Sequence, residues 1–313
     1  MAIAFTFPGQ GSQTVGMGKE LADAFPEARA VFEEVDEALG EKLSTIMWEG
    51  PEETLTLTAN AQPALMAVSM AIIRTMEARG FQMQGKVDYV AGHSLGEYSA
   101  LCAAGMFTIA DTARLLRIRG KAMQQAVPVG EGAMAAIIGL EHDAVEAACA
   151  TASGQGVCQI ANDNGGGQIV ISGAKDAVEA AARHCTENGA KRAILLPVSA
   201  PFHSALMAPA AEAMRLALQE ATKAAPVVPV VSNVAVAALS DPEEIAARLV
   251  EQVTGRVRWR ETIEWFAGNG VTTLYEVGSG KVLSGLARRI DRDIVTVPVN
   301  GPGDIETVLT ALG

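Results

Sequence analysis

Short apolar runs alternate along the chain with longer stretches whose apolar residues recur every three to four positions, which predicts strands and helices in turn. Ala2 to Phe7 and Val87 to Ala91 read as strands, with helices over about Met17 to Leu39 and Ala61 to Arg79 between them. That rhythm belongs to an α/β fold with a largely parallel sheet. From Gly132 the pattern changes. A strand (Gly132 to Gly139), a helix (His142 to Ala152), two strands (Val157 to Ala161 and Gln168 to Ser172), a helix (Lys175 to Asn188) and a strand (Lys191 to Val198) follow in succession. This β-α-β-β-α-β order is ferredoxin-like. Residues 128–197 are therefore expected to form a small inserted domain. Residues 1–127 and 198–313 should form the large α/β domain, which resumes with strands near Val227 to Ser232 and Thr272 to Val277.

Composition narrows the class. A chain of 313 residues with 49% hydrophobic and 19% charged residues is long enough for a full core and is not disordered. The start, MAIAFTF, carries no basic segment and reads as a strand and not as a signal peptide. No apolar stretch reaches the ~18 residues that span a bilayer, so a cytoplasmic, membrane-free protein is expected. A net charge of -12 excludes a general nucleic-acid role, which needs a basic surface. The four cysteines (Cys102, Cys149, Cys158, Cys185) form no CxxC pair and stand near no histidine at ligand spacing. Neither a metal site nor a disulfide framework is predicted from them.

Gly92-His93-Ser94-Leu95-Gly96 has the G-x-S-x-G form between a predicted strand and the helix-like run Glu97 to Ala104. A serine held in a strained strand-to-helix turn needs glycine on both sides, and its hydroxyl then faces a cleft in the manner of an α/β-hydrolase-like domain. The Leu95 amide would open the helix, where it can stabilise an oxyanion. A plain glycine-rich turn with Ser94 as helix cap is the alternative. A serine hydroxyl also needs a base. Of four histidines, His142 and His184 lie in polar helical stretches, and His93 should point away from the Ser94 side chain. By elimination His203, in the loop Pro201-Phe202-His203-Ser204, is the candidate base. Asp143, Asp163 and Asp176 all fall in the small domain, so a dyad without a carboxylate is expected.

Two further features carry chemistry. Pro8-Gly9-Gln10-Gly11-Ser12-Gln13 follows the first strand, lacks the Gly-Lys-Ser/Thr of a phosphate-binding loop and fails the dinucleotide fingerprint, which leaves an oxyanion role or a plain turn. In the predicted helix Ala110 to Gln125, Arg114, Arg117 and Lys121 share a solvated face, whereas Arg119 falls among Leu115, Leu116 and Met123. A charge aimed into the core needs either a distant carboxylate or an acidic substrate, and the pattern alone leaves both open.

With Pro8-Gly-Gln-Gly-Ser-Gln, Gly92-His-Ser-Leu-Gly-Glu-Tyr, Arg119-Gly-Lys, Gly132-Ala-Met-Ala, Pro201-Phe-His-Ser and Tyr275-Glu-Val-Gly, the chain resembles the malonyl-CoA:acyl carrier protein transacylases of bacterial fatty acid synthesis over essentially its whole length. The resemblance implies that Ser94 is acylated, that His203 activates it and that Arg119 grips the malonyl carboxylate. It further implies an oxyanion hole from Gln10 and the amide of Leu95. Gln252, seven residues ahead of Trp259, would orient the histidine through its backbone carbonyl. The implied partners are malonyl-CoA and acyl carrier protein, in a ping-pong cycle through a malonyl-serine. No cofactor is implied, coenzyme A being part of the substrate. Asn162 and Asn164, expected in a loop of the small domain, are candidates for binding pantetheine amides. Lys191, Arg192, Lys281, Arg288 and Arg289 are candidates for docking an acidic carrier. Rival readings are a serine thioesterase or hydrolase, which has no need of Arg119, an acyltransferase for another extender unit in polyketide synthesis, and a silent carrier-binding module.

Overall fold

A computed structural model describes residues 2–198 and 200–313. The first stretch contains β1 (Ala2–Phe7), α1 (Lys19–Ala24), α2 (Pro26–Leu39), α3 (Leu43–Glu49), α4 (Glu52–Thr56), α5 (Thr58–Ala78), β2 (Tyr89–Gly92), α6 (Leu95–Ala103) and α7 (Ile109–Gln125). The middle stretch contains β3 (Gly132–Ile138), α8 (His142–Ala152), β4 (Cys158–Asp163), β5 (Gln168–Ala174), α9 (Lys175–Glu187) and β6 (Arg192–Leu195). The last contains α10 (Ala208–Glu220), β7 (Val230–Val231), β8 (Ala238–Leu239), α11 (Pro242–Thr254), α12 (Trp259–Gly268), β9 (Val271–Val277), α13 (Val282–Ile290), β10 (Val295–Val299) and α14 (Pro302–Leu312).

The first and last stretches build one sheet in the order β10-β9-β1-β2-β7-β8, parallel except for the β7-β8 edge. β1 lies near its centre, and Phe5 and Phe7 are wholly buried there. α5 is buried almost all round, as expected of a helix with apolar residues on every face, and it packs between α2, α7 and the sheet. The middle stretch forms a separate antiparallel sheet, β4-β5-β3-β6, on which α8 and α9 bury Val145, Ala148, Val178 and Ala181. The molecule is thus a mixed α/β protein with a parallel sheet and helices. None of its described helices is long and apolar enough to cross a membrane.

The single helix expected over Met17 to Leu39 is two. Phe25 is extended (φ -135°, ψ 120°) because it precedes Pro26, whose ring excludes the helical conformation from the residue before it. The strand expected over Lys191 to Val198 pairs only over Arg192–Leu195, and the one near Val227 to Ser232 only over Val230–Val231. Arg117 does not share the solvated face of Arg114 and Lys121: it is half-buried and donates to Asn60 and Glu41. Cys149 and Cys158, far apart in the predicted pattern, bring their sulfurs to 3.5 Å as free thiols.

Candidate active site

Register places the site. β1 and β2 pair so that Phe7 faces Gly92, which sets the loop after β1 beside the turn after β2. In that turn Ser94 adopts φ 55°, ψ -109°, a conformation costing a non-glycine residue about 1–3 kcal/mol and kept only where surroundings enforce it. The surroundings are tight. A Cβ on Gly92 would lie 1.9 Å from the Gly96 carbonyl, and one on Gly96 would lie 2.2 Å from the Phe7 carbonyl oxygen. Asn233, in the loop after β7, pins the turn from the other side. Its Oδ1 accepts from the Ser94 N–H at 2.8 Å and its Nδ2 donates to the Gly92 oxygen at 2.7 Å. Leu95 opens α6, so its N–H has no intrahelical acceptor and is directed into the cleft end of the helix.

His203 also has a positive φ, 57°, and is buried. Its Nε2 stands 2.8 Å from Ser94 Oγ and its Nδ1 stands 2.8 Å from the backbone oxygen of Gln252. A carbonyl oxygen only accepts, so Nδ1 carries the proton and Nε2 presents its lone pair to the serine hydroxyl. Burial, reinforced by the Arg119 charge, pushes the imidazole pKa down to about 3. The ring is therefore neutral at physiological pH and able to take a proton.

Arg119 in α7 is buried beside the same hydroxyl. Its Nη1 donates to Gln62 Oε1 at 2.8 Å, and its Nη2 donates to Gln252 Oε1 at 2.8 Å and to Ser94 Oγ at 3.1 Å. The two side-chain acceptors nearest the guanidinium are amide oxygens and not carboxylates, and its Nε lacks a partner. Desolvation lowers its pKa, the mark of a cation in a dry pocket without a directly bonded counter-ion. Such a group is receptive to a carboxylate. Ser94 Oγ thus donates to a base on one side and accepts from a guanidinium on the other.

A cavity of about 580 Å³ opens onto this cluster, with Gln10, Ser94, Leu95, Arg119, Asn162 and His203 on its wall. Gln10 is fixed by donation from Nε2 to Thr58 Oγ1 at 3.2 Å. Asn162 is not in a loop: it belongs to β4, next to a bulge between Ile160 and Asn162, and pairs in parallel with Val257. Asn164 lies beyond the strand and shares the wall. Gln252 lies behind the wall, near the end of α11, with its backbone oxygen on His203 Nδ1 as the family resemblance implied. Four contributors escaped the sequence reading. His93, set aside as pointing elsewhere, lines the cavity and meets Asn164 Oδ1 at 2.9 Å. Gln62, Asn233 and Glu97 are buried polar residues. The legible signals were a glutamine ahead of the long apolar run of α5 and a glutamate directly after the second glycine of the turn.

The acyl transferase domain model matches residues 4–284. A "Malonyl CoA-acyl carrier protein transacylase" of Bacillus subtilis (strain 168) is 47% identical over 311 residues, 99% of this chain and 97% of the relative. The protein of the same name from Escherichia coli (strain K12) is 46% identical, covering 98% of each chain. Among solved structures, an acyl-carrier-protein-S-malonyltransferase from Bartonella henselae superposes with a TM-score of 0.99 at 65% identity over all of both chains. A malonyl-transacylase in complex with a type II PKS acyl-carrier protein superposes with a TM-score of 0.96 at 43% identity, covering 99% of this chain and 100% of that one.

Proposed function

Because this chain belongs to the acyl transferase domain family, we propose that it moves the malonyl group from malonyl-CoA to the phosphopantetheine thiol of an acyl carrier protein, supplying fatty acid synthesis. The observation that carries this reading is Ser94 Oγ held between His203 Nε2 at 2.8 Å and Arg119 Nη2 at 3.1 Å. His203 Nε2 takes the hydroxyl proton as Oγ attacks the thioester carbonyl. The oxyanion is received by the Leu95 amide at the start of α6 and by the Gln10 loop. Collapse expels the coenzyme A thiolate, which leaves with the proton from His203, and Ser94 keeps the malonyl ester. The carrier thiol then runs the same steps in reverse order, its proton passing through His203. Gln252 holds the imidazole through its backbone oxygen, and no carboxylate is needed for the dyad. Arg119 receives the malonyl carboxylate in a bidentate contact that a neutral acyl group cannot make. Asn162, on the cavity wall, offers its amide to pantetheine.

The cycle uses no cofactor and suits a cytoplasmic enzyme. We read residues 1–127 with 198–313 as the catalytic domain, α/β-hydrolase-like in the parallel sheet and strained serine turn. Residues 128–197 form the smaller unit, and its strand order β4-β5-β3-β6 with two crossing helices supports the ferredoxin-like description. Lys281, Arg288 and Arg289 are exposed along α13, and Lys191 and Arg192 are exposed at β6, as an acidic carrier would require.

Mixing the protein with malonyl-CoA and recording intact mass within seconds tests the reading. A malonyl adduct is expected on the wild type and not on Ser94→Ala. Release of free malonate with no adduct would make the protein a thioesterase.

A further inference from the structure

The Arg119 charge is buried without a directly bonded carboxylate, yet a second buried charge lies across the Gln252 side chain from it. Glu97, in the first turn of α6, is wholly buried. Its Oε2 accepts from Gln252 Nε2 at 2.8 Å and from the Asn233 N–H at 3.2 Å, and its Oε1 has no partner. The Gln252 amide therefore stands between an anion and a cation, with Nε2 toward Glu97 and Oε1 toward Arg119 at 2.8 Å. The reverse orientation would point a donor at a guanidinium and an acceptor at a carboxylate, so chemistry fixes the amide. We propose that Glu97 is the resident counter-charge of Arg119, relayed through the Gln252 side chain, and that an arriving malonyl carboxylate displaces it by driving a proton from solvent onto Glu97.

The reasoning is one of charge balance and rests on the malonyl reading given above. In the free enzyme one buried anion accompanies one buried cation. The malonyl carboxylate adds a second anion against the same guanidinium in a pocket of low dielectric, and two carboxylates sharing one cation do not both stay ionised. The substrate carboxylate bonds Arg119 directly, whereas Glu97 reaches it only through an amide, so Glu97 is the group that takes the proton. Burial already holds its pKa up at about 7, the Gln252 and Asn233 contacts and the Arg119 charge opposing that rise. The groups facing it are Arg119 from α7, Tyr98 on its own helix, and the neutral Gln252, Asn233 and Ser232. His203 joins the same network through the Gln252 backbone oxygen and through Ser94 Oγ, which it shares with Arg119. Glu97 touches no substrate and is a positioning residue.

The test uses Ser94→Ala protein, which binds without being acylated, titrated calorimetrically with malonyl-CoA and with acetyl-CoA in phosphate and in Tris at pH 7.5. The difference between buffers counts protons. Malonyl-CoA is expected to take up a proton on binding and acetyl-CoA not. Its affinity relative to acetyl-CoA should weaken by as much as about tenfold per pH unit above 7. Adding Glu97→Gln should abolish the uptake, flatten the pH dependence and tighten malonyl-CoA binding. Equal proton counts for the two thioesters, or uptake surviving in Glu97→Gln, would overturn the proposal. Should that variant fail to fold, the malonyl-to-acetyl comparison decides on its own. Malonyl-CoA binding without uptake leaves the malonyl reading standing and removes only the role of Glu97. No binding at all removes both.

Discussion

His203 Nδ1 and the backbone oxygen of Gln252 lie 2.8 Å apart, and this contact settles which ring nitrogen faces Ser94. The position a carboxylate would take in a three-residue triad is filled by a neutral acceptor. It fixes the tautomer and raises the basicity of the ring by less than an anion would.

One consequence is visible in pH. The His203 pKa is depressed to about 3 by burial first and by the Arg119 charge second, so the ring stays a free base well below the ordinary histidine range. At saturating malonyl-CoA the single-turnover rate of acylation should not fall as pH is lowered through 6.5. Any loss belongs nearer pH 3 to 4, where native imidazole protonates. Rapid-quench mass spectrometry across pH 5 to 8 checks this, and a half-maximal point near 6.5 would contradict the geometry.

Arg119→Ala should lower kcat/KM for malonyl-CoA by roughly 10² to 10³, the cost of removing one partner from a desolvated, hydrogen-bonded charge pair. Acetyl transfer should fall far less, because no carboxylate is lost. The ratio of the two rates is the measurement, and an equal loss for both would make the arginine structural.

Gly96→Ala forces a Cβ to 2.2 Å from the Phe7 carbonyl oxygen, a backbone atom that cannot swing away. The expected cost exceeds about 3 kcal/mol. Because β1 and the serine turn are what must part, the malonyl adduct should disappear together with the fall in Tm. Gly285→Ala, on a helix with open space around it, serves as the control.

Two buried groups oppose each other in stability. Unfolded His203 binds a proton below about 6.5 while the native ring does not until about 3, so its contribution falls as pH drops from 6.5. Native Glu97 binds a proton at about 7 while the unfolded carboxyl waits until about 4.5, so its contribution rises as pH drops from 7 and is lost as pH climbs back through 7. Between roughly 4.5 and 6.5 the two slopes cancel, each being about 1.4 kcal/mol per pH unit. Glu97→Gln should unmask the histidine slope. Relative to wild type the variant should gain roughly 3 kcal/mol above pH 7 and little near pH 4.5, read by urea unfolding at each pH.

The elements most open to reading were those whose pattern and punctuation agree. The run from β3 to β6 alternates cleanly, and the glycines around Ser94 mark the turn whose crowding makes them necessary. What stayed hidden acts through the backbone or through partners far along the chain. Gln252 contributes a carbonyl that every residue has, so only the family resemblance pointed to it. Glu97 looks like an ordinary first-turn helix glutamate until Asn233 and Gln252, 136 and 155 residues away, close over it. Arg117 matched the solvated stripe of its own helix and was drawn in by Asn60 and Glu41 from other segments. His93 was weighed only as a base, and its contact with Asn164 on the cavity wall left no signal in a strand pattern that ends at Gly92.

The parallel bridge between β4 and Val257 reaches beyond its part in the fold. Val257 N–H donates to the Ala161 oxygen at 2.8 Å, the Asp163 N–H donates to the Val257 oxygen at 3.0 Å, and Arg260 pairs with Asp163 at 3.0 Å. These ties join the antiparallel sheet, whose Asn162 and Asn164 line the cavity, to the segment just after Gln252. Moving that sheet away from the segment would first break two main-chain bonds and an ion pair. The part of the cavity wall that Asn162 and Asn164 form is therefore held in place by main-chain bonds as well as by side chains.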